Sequence, residues 1–308
     1  MRTGSAMTMA IAVAWALLWA AAFAATKVAL RDAPAELVVG VRCELAGLLL
    51  IAARLRHLRH VGMHRLAGLA VLGLLNNTGY LGVMGLALHH LSAGMAAILS
   101  SCTPLLVLLA SAALGMRRLT FVHLLGVALA FGGVTLSALD RMDGTGIAPA
   151  GVAWGAVSVL CLAAGTLLTP RLAADTDIYA ATGWQAAIGG LPLLALTAIL
   201  QPAVHPSGRL LATTLFLSLG ASVIGMSLWL LLIRRAGPGQ ASIAQFLPPV
   251  FGVGIGAVFL AEPLTVREAV AVAPIAAGIL LATRIPRKPG PKDPRESRRE
   301  DRPLRQRG

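Results

Sequence analysis

Charge is scarce in this chain. Asp, Glu, Lys and Arg together make up 13% of its 308 residues, about half the share usual in a soluble domain, so a charged, water-facing surface over the whole molecule is excluded. Acids are the rarer sign, 13 against 26 Lys and Arg. Cysteine is limited to Cys43, Cys102 and Cys161. All three fall inside apolar stretches without close metal-ligand spacing, which leaves neither a disulfide framework nor a zinc site. No nucleophile elbow, phosphate-binding glycine loop or metalloprotease signature occurs. The histidines at 57, 60, 64, 89 and 90 fall in loops without metal-ligand company. Neither a cofactor nor a metal is expected.

What the chain has instead is apolar length. Hydrophobic residues reach 57% and the mean hydropathy is +0.78, so most of the molecule's solvent is lipid. Crossing about 30 Å of hydrocarbon takes about 20 apolar residues in a helix, and only helices or closed barrels satisfy their backbone groups there. Uninterrupted stretches of that length predict ten spans, near 9–30, 35–53, 66–87, 92–114, 119–139, 149–169, 178–200, 210–233, 239–261 and 265–283. The first is read as a retained span rather than a cleaved signal, because no small-residue cleavage site precedes a soluble region.

The breaks between spans carry the charges, and their sign sets the sides. Arg54, Arg56, Arg59, Arg65, Arg117, Arg118, Arg171, Arg234 and Arg235 share one face with Arg2 and the C-terminal tail. The other face has Lys27, Arg31, Arg141, Arg209 and Arg267, several with acidic neighbours. Both termini are therefore expected in the cytoplasm of a cell whose inner membrane holds the protein. Ten of the 26 basic residues lie at or after Arg284, interleaved with proline and acids. Residues 284–308 read as a disordered tail facing anionic lipid headgroups rather than as a nucleic-acid arm.

An internal repeat appears at an offset of 145, where residues 92–138 match 237–283 without gaps. Gly94, Pro104, Leu119, Thr120 and Gly133 recur as Gly239, Pro249, Leu264, Thr265 and Gly278. Units of five spans, 1–139 and 140–283, insert in opposite senses, because five is odd. That is the inverted-repeat architecture of many secondary transporters, whose site lies near the bilayer midplane.

The same stretches resemble a known family. The run from Leu91 to Val134 and its counterpart from Gly239 to Leu280 are similar to the paired EamA-type repeats of the drug/metabolite transporter superfamily. The segments ending in Thr103-Pro104 and Pro248-Pro249, and the turn Glu262-Pro263-Leu264-Thr265, carry the likeness, as do Phe23 to Leu30 and Arg42 near the start. Met116-Arg117-Arg118 departs from the acidic turn usual at the end of the fourth helix. The resemblance implies ten helices and export of small metabolites or amino acids. It also implies a cavity lined by spans one, three, four, six, eight and nine, favouring Ser222 and Gln245 over Gln185.

Candidate residues are polar or aromatic groups at depth, each of which needs a partner in hydrocarbon. Asn76 and Asn77 lie halfway along span three with Tyr80 one turn on, suited either to a polar solute or to bonding between helices. Trp15 and Trp19 are four apart on span one and form an aromatic wall or ordinary packing. Trp154 and Trp229 read as interfacial anchors. Ser100, Ser101 and Thr103 in span four, Trp184 and Gln185 in span seven, Ser222 in span eight and Gln245 in span nine complete the set. Pro104, Pro248 and Pro249 each remove a backbone donor and predict helix breaks that serve gating or shape packing. Glu44 is about 13 Å below the end of span two. Arg42, two residues away, faces elsewhere, so Lys27 is the alternative partner for a structural or proton-coupling ion pair.

These readings converge on an all-α polytopic secondary transporter of a small-molecule substrate. A membrane-embedded enzyme or a non-transporting scaffold are the alternatives. The enzyme would need a convergent catalytic set that the sequence lacks, and the scaffold would need large soluble loops.

Overall fold

The computed structural model describes residues 2–54, 63–116, 119–142, 149–174, 176–241, 244–245 and 247–262, with 270, 273–275, 277–278 and 281 beyond them. Every element among the described residues is helical. Helix α1 is Arg2–Ala29 and α2 is Ala35–Ala53. Helix α3 runs through Met63–Gly73, a π-helical stretch Leu74–Gly82 and Val83–Ala87. Helix α4 is Ala93–Ser101 followed by Thr103–Ala113, α5 is Phe121–Met142, α6 is Pro149–Leu172 and α7 is Ile178–Leu200. Helix α8 comprises Gly208–Leu215, π-helical Phe216–Ile224 and Gly225–Ala241, and α9 is Leu247–Leu260.

Local chemistry sets the ends. Ser92, Asp177 and Ser207 accept hydrogen bonds from the first-turn amides of α4, α7 and α8, satisfying donors that no earlier turn can reach. Gln201 and Gly115 stop α7 and α4 in left-handed conformations, at φ 44° and 69°. Pro248 and Pro249, expected to mark a helix break, lie in the first turn of α9, which begins at Leu247 inside the expected span 239–261. A first turn needs no donor there, so proline is at home in it. Pro104 likewise sits at the start of the second segment of α4, just past the break at Cys102.

Six helices are long and apolar enough to cross a membrane: Ala6–Ala29, Arg65–Ala87, Ala93–Ala113, Pro149–Leu172, Ile178–Leu200 and Gly208–Gly237. Helix α2 carries Glu36, Arg42 and Glu44, and the apolar part of α5 and all of α9 are shorter. The outward surface is apolar, with Phe121, Ile199, Val258 and Phe259 exposed, as hydrocarbon solvent allows and water would not. The expected tenth span and the basic tail lie outside the described residues except for a few positions near 270–281. Of these, Ile275 is buried in the same cluster as Ala130 of α5.

The packing is largely symmetric. Exchanging α1 with α6, α2 with α7, α3 with α8 and α4 with α9 carries most of the main helix contacts into others, the contacts of α1 with α4 and of α2 with α3 being exceptions. Helix α1 packs on α8 and α9 as α6 packs on α3 and α4, and α2 meets α8 as α7 meets α3. The pairs α2 with α7 and α4 with α9 map onto themselves. The π-helical stretches fall in α3 and α8, which are partners under the exchange.

One polar clasp closes the loop after α1. Asp32 accepts from Ser207 Oγ at 2.7 Å and Arg209 Nε at 2.9 Å, and its other oxygen pairs with Arg209 Nη2. Its backbone carbonyl accepts from His205 N at 2.8 Å. The hydrogen bond from Arg209, then that from Ser207, lowers the carboxyl from 3.8 to about 2. A depressed carboxyl stabilises the fold above its unfolded pKa, and that contribution is lost as pH falls towards the folded value. Thermal melting in detergent is therefore expected to lose stability from this clasp only below about pH 4. Asp32→Asn should flatten that acid limb, and an unchanged limb in the variant would contradict the assignment.

Candidate functional site

Helices α1, α2 and α3 line a small cavity of about 30 Å³, room for about one water molecule. One face of α1 contributes Trp19, Phe23 and Thr26, spaced four and three residues apart as one helical stripe requires. Helix α3 contributes Tyr80 and Met84, and α2 contributes Arg42. The π-helical stretch widens the turn from which Tyr80 projects, a distortion that recurs at functional sites.

The aromatic groups form a connected wall. Tyr80 and Trp19 stack at 6.4 Å between ring centroids, Trp19 lies 5.8 Å from Trp15, and Trp15 lies 4.6 Å from Trp229. Trp229, expected to anchor at an interface, is thus packed inward against α1. Which helix faces it is not revealed by its position along α8. The Tyr80 hydroxyl donates to Ser100 Oγ at 3.2 Å. Ser101 bonds back to the Ala97 carbonyl of its own helix instead.

Asn76 and Asn77 point away from this cavity. Asn76 Nδ2 donates to Gln185 Oε1 at 3.1 Å and Asn77 Nδ2 to the Gln185 carbonyl at 3.0 Å, while Thr78 Oγ1 donates to the Gly189 carbonyl at 2.6 Å. Of the two uses open to the asparagines, the geometry is that of bonding between helices. Gln185, set aside on resemblance, is their partner. Gln245 lies in a short turn just before α9 and is half-buried.

The three ionisable candidates do not pair with one another. Lys27 Nζ lies 2.9 Å from Glu262 Oε1 and donates to the Leu91 carbonyl at 2.7 Å. Glu262 also accepts from Ala93 N, at 3.0 and 3.2 Å, at the start of α4. This latch joins α1, α4 and the end of α9. Glu44 faces α7, where its Oε1 is buried without a hydrogen-bond partner among the described residues, and a Cβ on Gly190 would lie 2.8 Å from it. Arg42 faces the other way, 7% exposed, and its Nε donates to Ser222 Oγ of α8 at 3.0 Å. Two residues along a helix turn a side chain about 200°, which is why these neighbours cannot meet.

Sequence reasoning missed Phe23, Thr26 and Met84 in the cavity wall. Extending the Trp15–Trp19 stripe by further turns would have found the first two. The pairing of Lys27 with Glu262 spans 235 positions, and no local signal encodes it.

Comparison with known proteins follows the same lines. The sequence profile described as "EamA-like transporter family" matches residues 6–139 and 149–284. Protein PecM of Dickeya dadantii is 28% identical over 78% of this chain and 80% of its own. An uncharacterized transporter of Synechocystis is 26% identical over 65% of this chain, which spans 66% of that relative's length. A Salmonella typhimurium protein named "Probable amino-acid metabolite efflux pump" is 25% identical over 61% of this chain and 67% of its own. A solved crystal structure superposes with a TM-score of 0.65, covering 90% of this chain and 96% of its own at 22% identity. At that identity the likeness is one of fold.

Proposed function

The chain belongs to the EamA-like transporter family, and on that premise we propose that it is a secondary transporter exporting a small organic solute, such as an amino acid or related metabolite, by alternating access. It does so on ten spans in two inverted five-helix repeats, residues 1–139 and 140–283, with both termini cytoplasmic and the basic tail 284–308 against anionic lipid. The observation that carries this reading is the exchange symmetry of the helix contacts, with π-helical stretches at equivalent places in α3 and α8. Two similar units inserted in opposite senses can interchange conformations, which opens a site to each side in turn.

Further support comes from the cavity and the latch. The cavity is walled by Trp19, Phe23 and Tyr80 between the first three helices, where movement of one repeat against the other would widen it. The Lys27–Glu262 latch ties three helices at one end of the bundle, and an ion pair of this kind is the sort of contact a gate breaks and remakes.

The test is counterflow in proteoliposomes. Vesicles are preloaded with unlabelled amino acids and related metabolites, and entry of labelled members of the pool is followed. Saturable exchange is expected from the wild type, falling at least about tenfold in Trp19→Ala, which removes the largest wall of the cavity. Absence of exchange with any pool, from folded and inserted protein, would overturn the transporter reading.

A further inference from the structure

A cleft of about 360 Å³ opens at the end of the bundle where α1 terminates, between the ends of α1 and α9 and the turn from α3 to α4. It shares Leu88 alone with the small cavity beside Tyr80. Lys27, Arg31 and His89 give it cationic and N–H groups, and Leu30, Leu88 and Leu260 give it apolar walls. Its carboxylate, Glu262, is already held by Lys27 and by Ala93 N. The chain leaves α9 through Ala261 in the left-handed conformation, at φ 53°, which a residue with a Cβ rarely adopts. That turn folds Glu262 back against Gly256, and strain of this kind clusters at ligand sites. The donors are not used up. An ammonium has three and a guanidinium five. Lys27 commits two, to Glu262 and to the Leu91 carbonyl, while the exposed Arg31 side chain has no hydrogen-bond or ion-pair partner among the described residues. Glu36 of α2 is near enough to act on the charge of His89 but does not line the cleft.

We propose that this cleft seats the phosphate of an anionic phospholipid, held by Arg31 and the third N–H of Lys27. Depth and shape both point to lipid. The apolar stretch Ala6–Ala29 ends here, which puts Lys27 and Arg31 at the level of the headgroups, where phosphate is the abundant anion. Val258 and Phe259, each 77% exposed, precede Leu260 on α9, so an apolar surface runs on from the cleft wall to the hydrocarbon-facing side of that helix. A free anion would use the charged part of the site and leave the apolar part bare. A guanidinium fork matches two phosphate oxygens in parallel hydrogen bonds. A zwitterionic headgroup brings its own cation beside Arg31 and Lys27, which selects for a lipid of net negative charge. Because Lys27 keeps its bond to Glu262, the lipid sits beside the latch without breaking it.

Lipid binding to the purified, delipidated full chain tests this, followed by native mass spectrometry with dioleoylphosphatidylglycerol, dioleoylphosphatidylcholine and free glycerol phosphate as probes. The wild type is expected to bind the phosphatidylglycerol at least about fivefold tighter than the phosphatidylcholine, the value of one Lys or Arg beside a headgroup. Arg31→Gln should lose most of that preference, and Arg31→Lys should keep part of it. Arg31 is exposed, so neither substitution disturbs packing, and a monodisperse profile confirms it. Arg235→Gln removes an exposed arginine at the opposite end of the bundle and should leave the preference as it is. An unchanged preference in Arg31→Gln would overturn the site. Equal losses in Arg31→Gln and Arg235→Gln would overturn it too, since they would mean diffuse attraction of headgroups to a basic protein. Displacement of the lipid by glycerol phosphate at comparable concentration would show that the cleft takes a free anion, and would sink the lipid assignment.

Discussion

Gly189→Leu is expected to prevent the chain from reaching a monodisperse folded state. Helices α3 and α7 cross with almost no side chain between them. A Cβ on Gly73 would lie 2.5 Å from the Gln185 carbonyl oxygen and 3.2 Å from Gly189 N, and one on Gly189 would lie 2.7 Å from Asn77 Cβ. Backbone cannot yield as a flexible side chain does, so the helices must separate. Separation also breaks the bonds from Asn77 Nδ2 to Gln185 and from Thr78 Oγ1 to Gly189. Overpacking together with unmade buried hydrogen bonds is worth roughly 3 kcal/mol or more. Small residues that let backbones approach are the main source of specificity between helices in lipid, where burial of apolar surface gives no preference. Gly254→Ala is the control, because a Cβ there meets nothing within 4 Å and alanine is the better helix former by about 1 kcal/mol. Size-exclusion profiles and melting in detergent should separate the two variants clearly, and equal behaviour would refute the close-crossing account.

Glu262→Gln is expected to open the end of the bundle at which α1 terminates. The carboxylate does two things at once: it pairs with Lys27 and accepts from Ala93 N at the positive end of α4, while the backbone N–H of Glu262 donates to the Gly256 carbonyl at 3.1 Å where α9 ends. Its side chain is 12% exposed and that of Lys27 32%, so water screens the pair only in part. The neutral amide keeps the shape and loses the charge against both Lys27 and the helix dipole, a change of about 1–3 kcal/mol. A cysteine placed at Thr26, in a background lacking Cys43, Cys102 and Cys161, reports on access to the cavity from that end. Its alkylation by a membrane-impermeant maleimide should accelerate at least about fivefold in Glu262→Gln, since about 1 kcal/mol corresponds to that factor. An unchanged rate would mean that the latch is structural and does not hold a gate.

How far the sequence reached differs between fold and site. The stretches from 9–30 to 239–261 overlie helices α1 to α9, six of them long and apolar enough to cross a membrane, because apolar length and breaker residues act locally. The in-register glycines and prolines at an offset of 145 pointed to a duplication, and the helix contacts carry the corresponding exchange. The stripe of Trp15 and Trp19 was legible because helical spacing alone puts residues four apart on one face. The asparagines were legible as groups needing partners. Which partner they would take was not, since an amide bonds a solute and a neighbouring helix with the same atoms. The ionisable residues were hardest. Lys27 could be recognised as a cation at depth, but Glu262 is its partner only because α9 ends beside α1 and α4.

The sequence by itself determined that the chain lives in lipid, that it is helical, and that it is built from two related units, because hydrophobic length and periodic punctuation are properties of each segment taken alone. Only the tertiary structure decided that Arg42 meets Ser222 from α8, that Glu44 faces α7 without a hydrogen-bond partner for its Oε1 among the described residues, and that Trp229 stacks on Trp15. Periodicity fixes the direction in which a side chain leaves its own helix. What stands in that direction depends on close crossings such as Gly73 with Gly189, and those are set by the packing of the whole bundle.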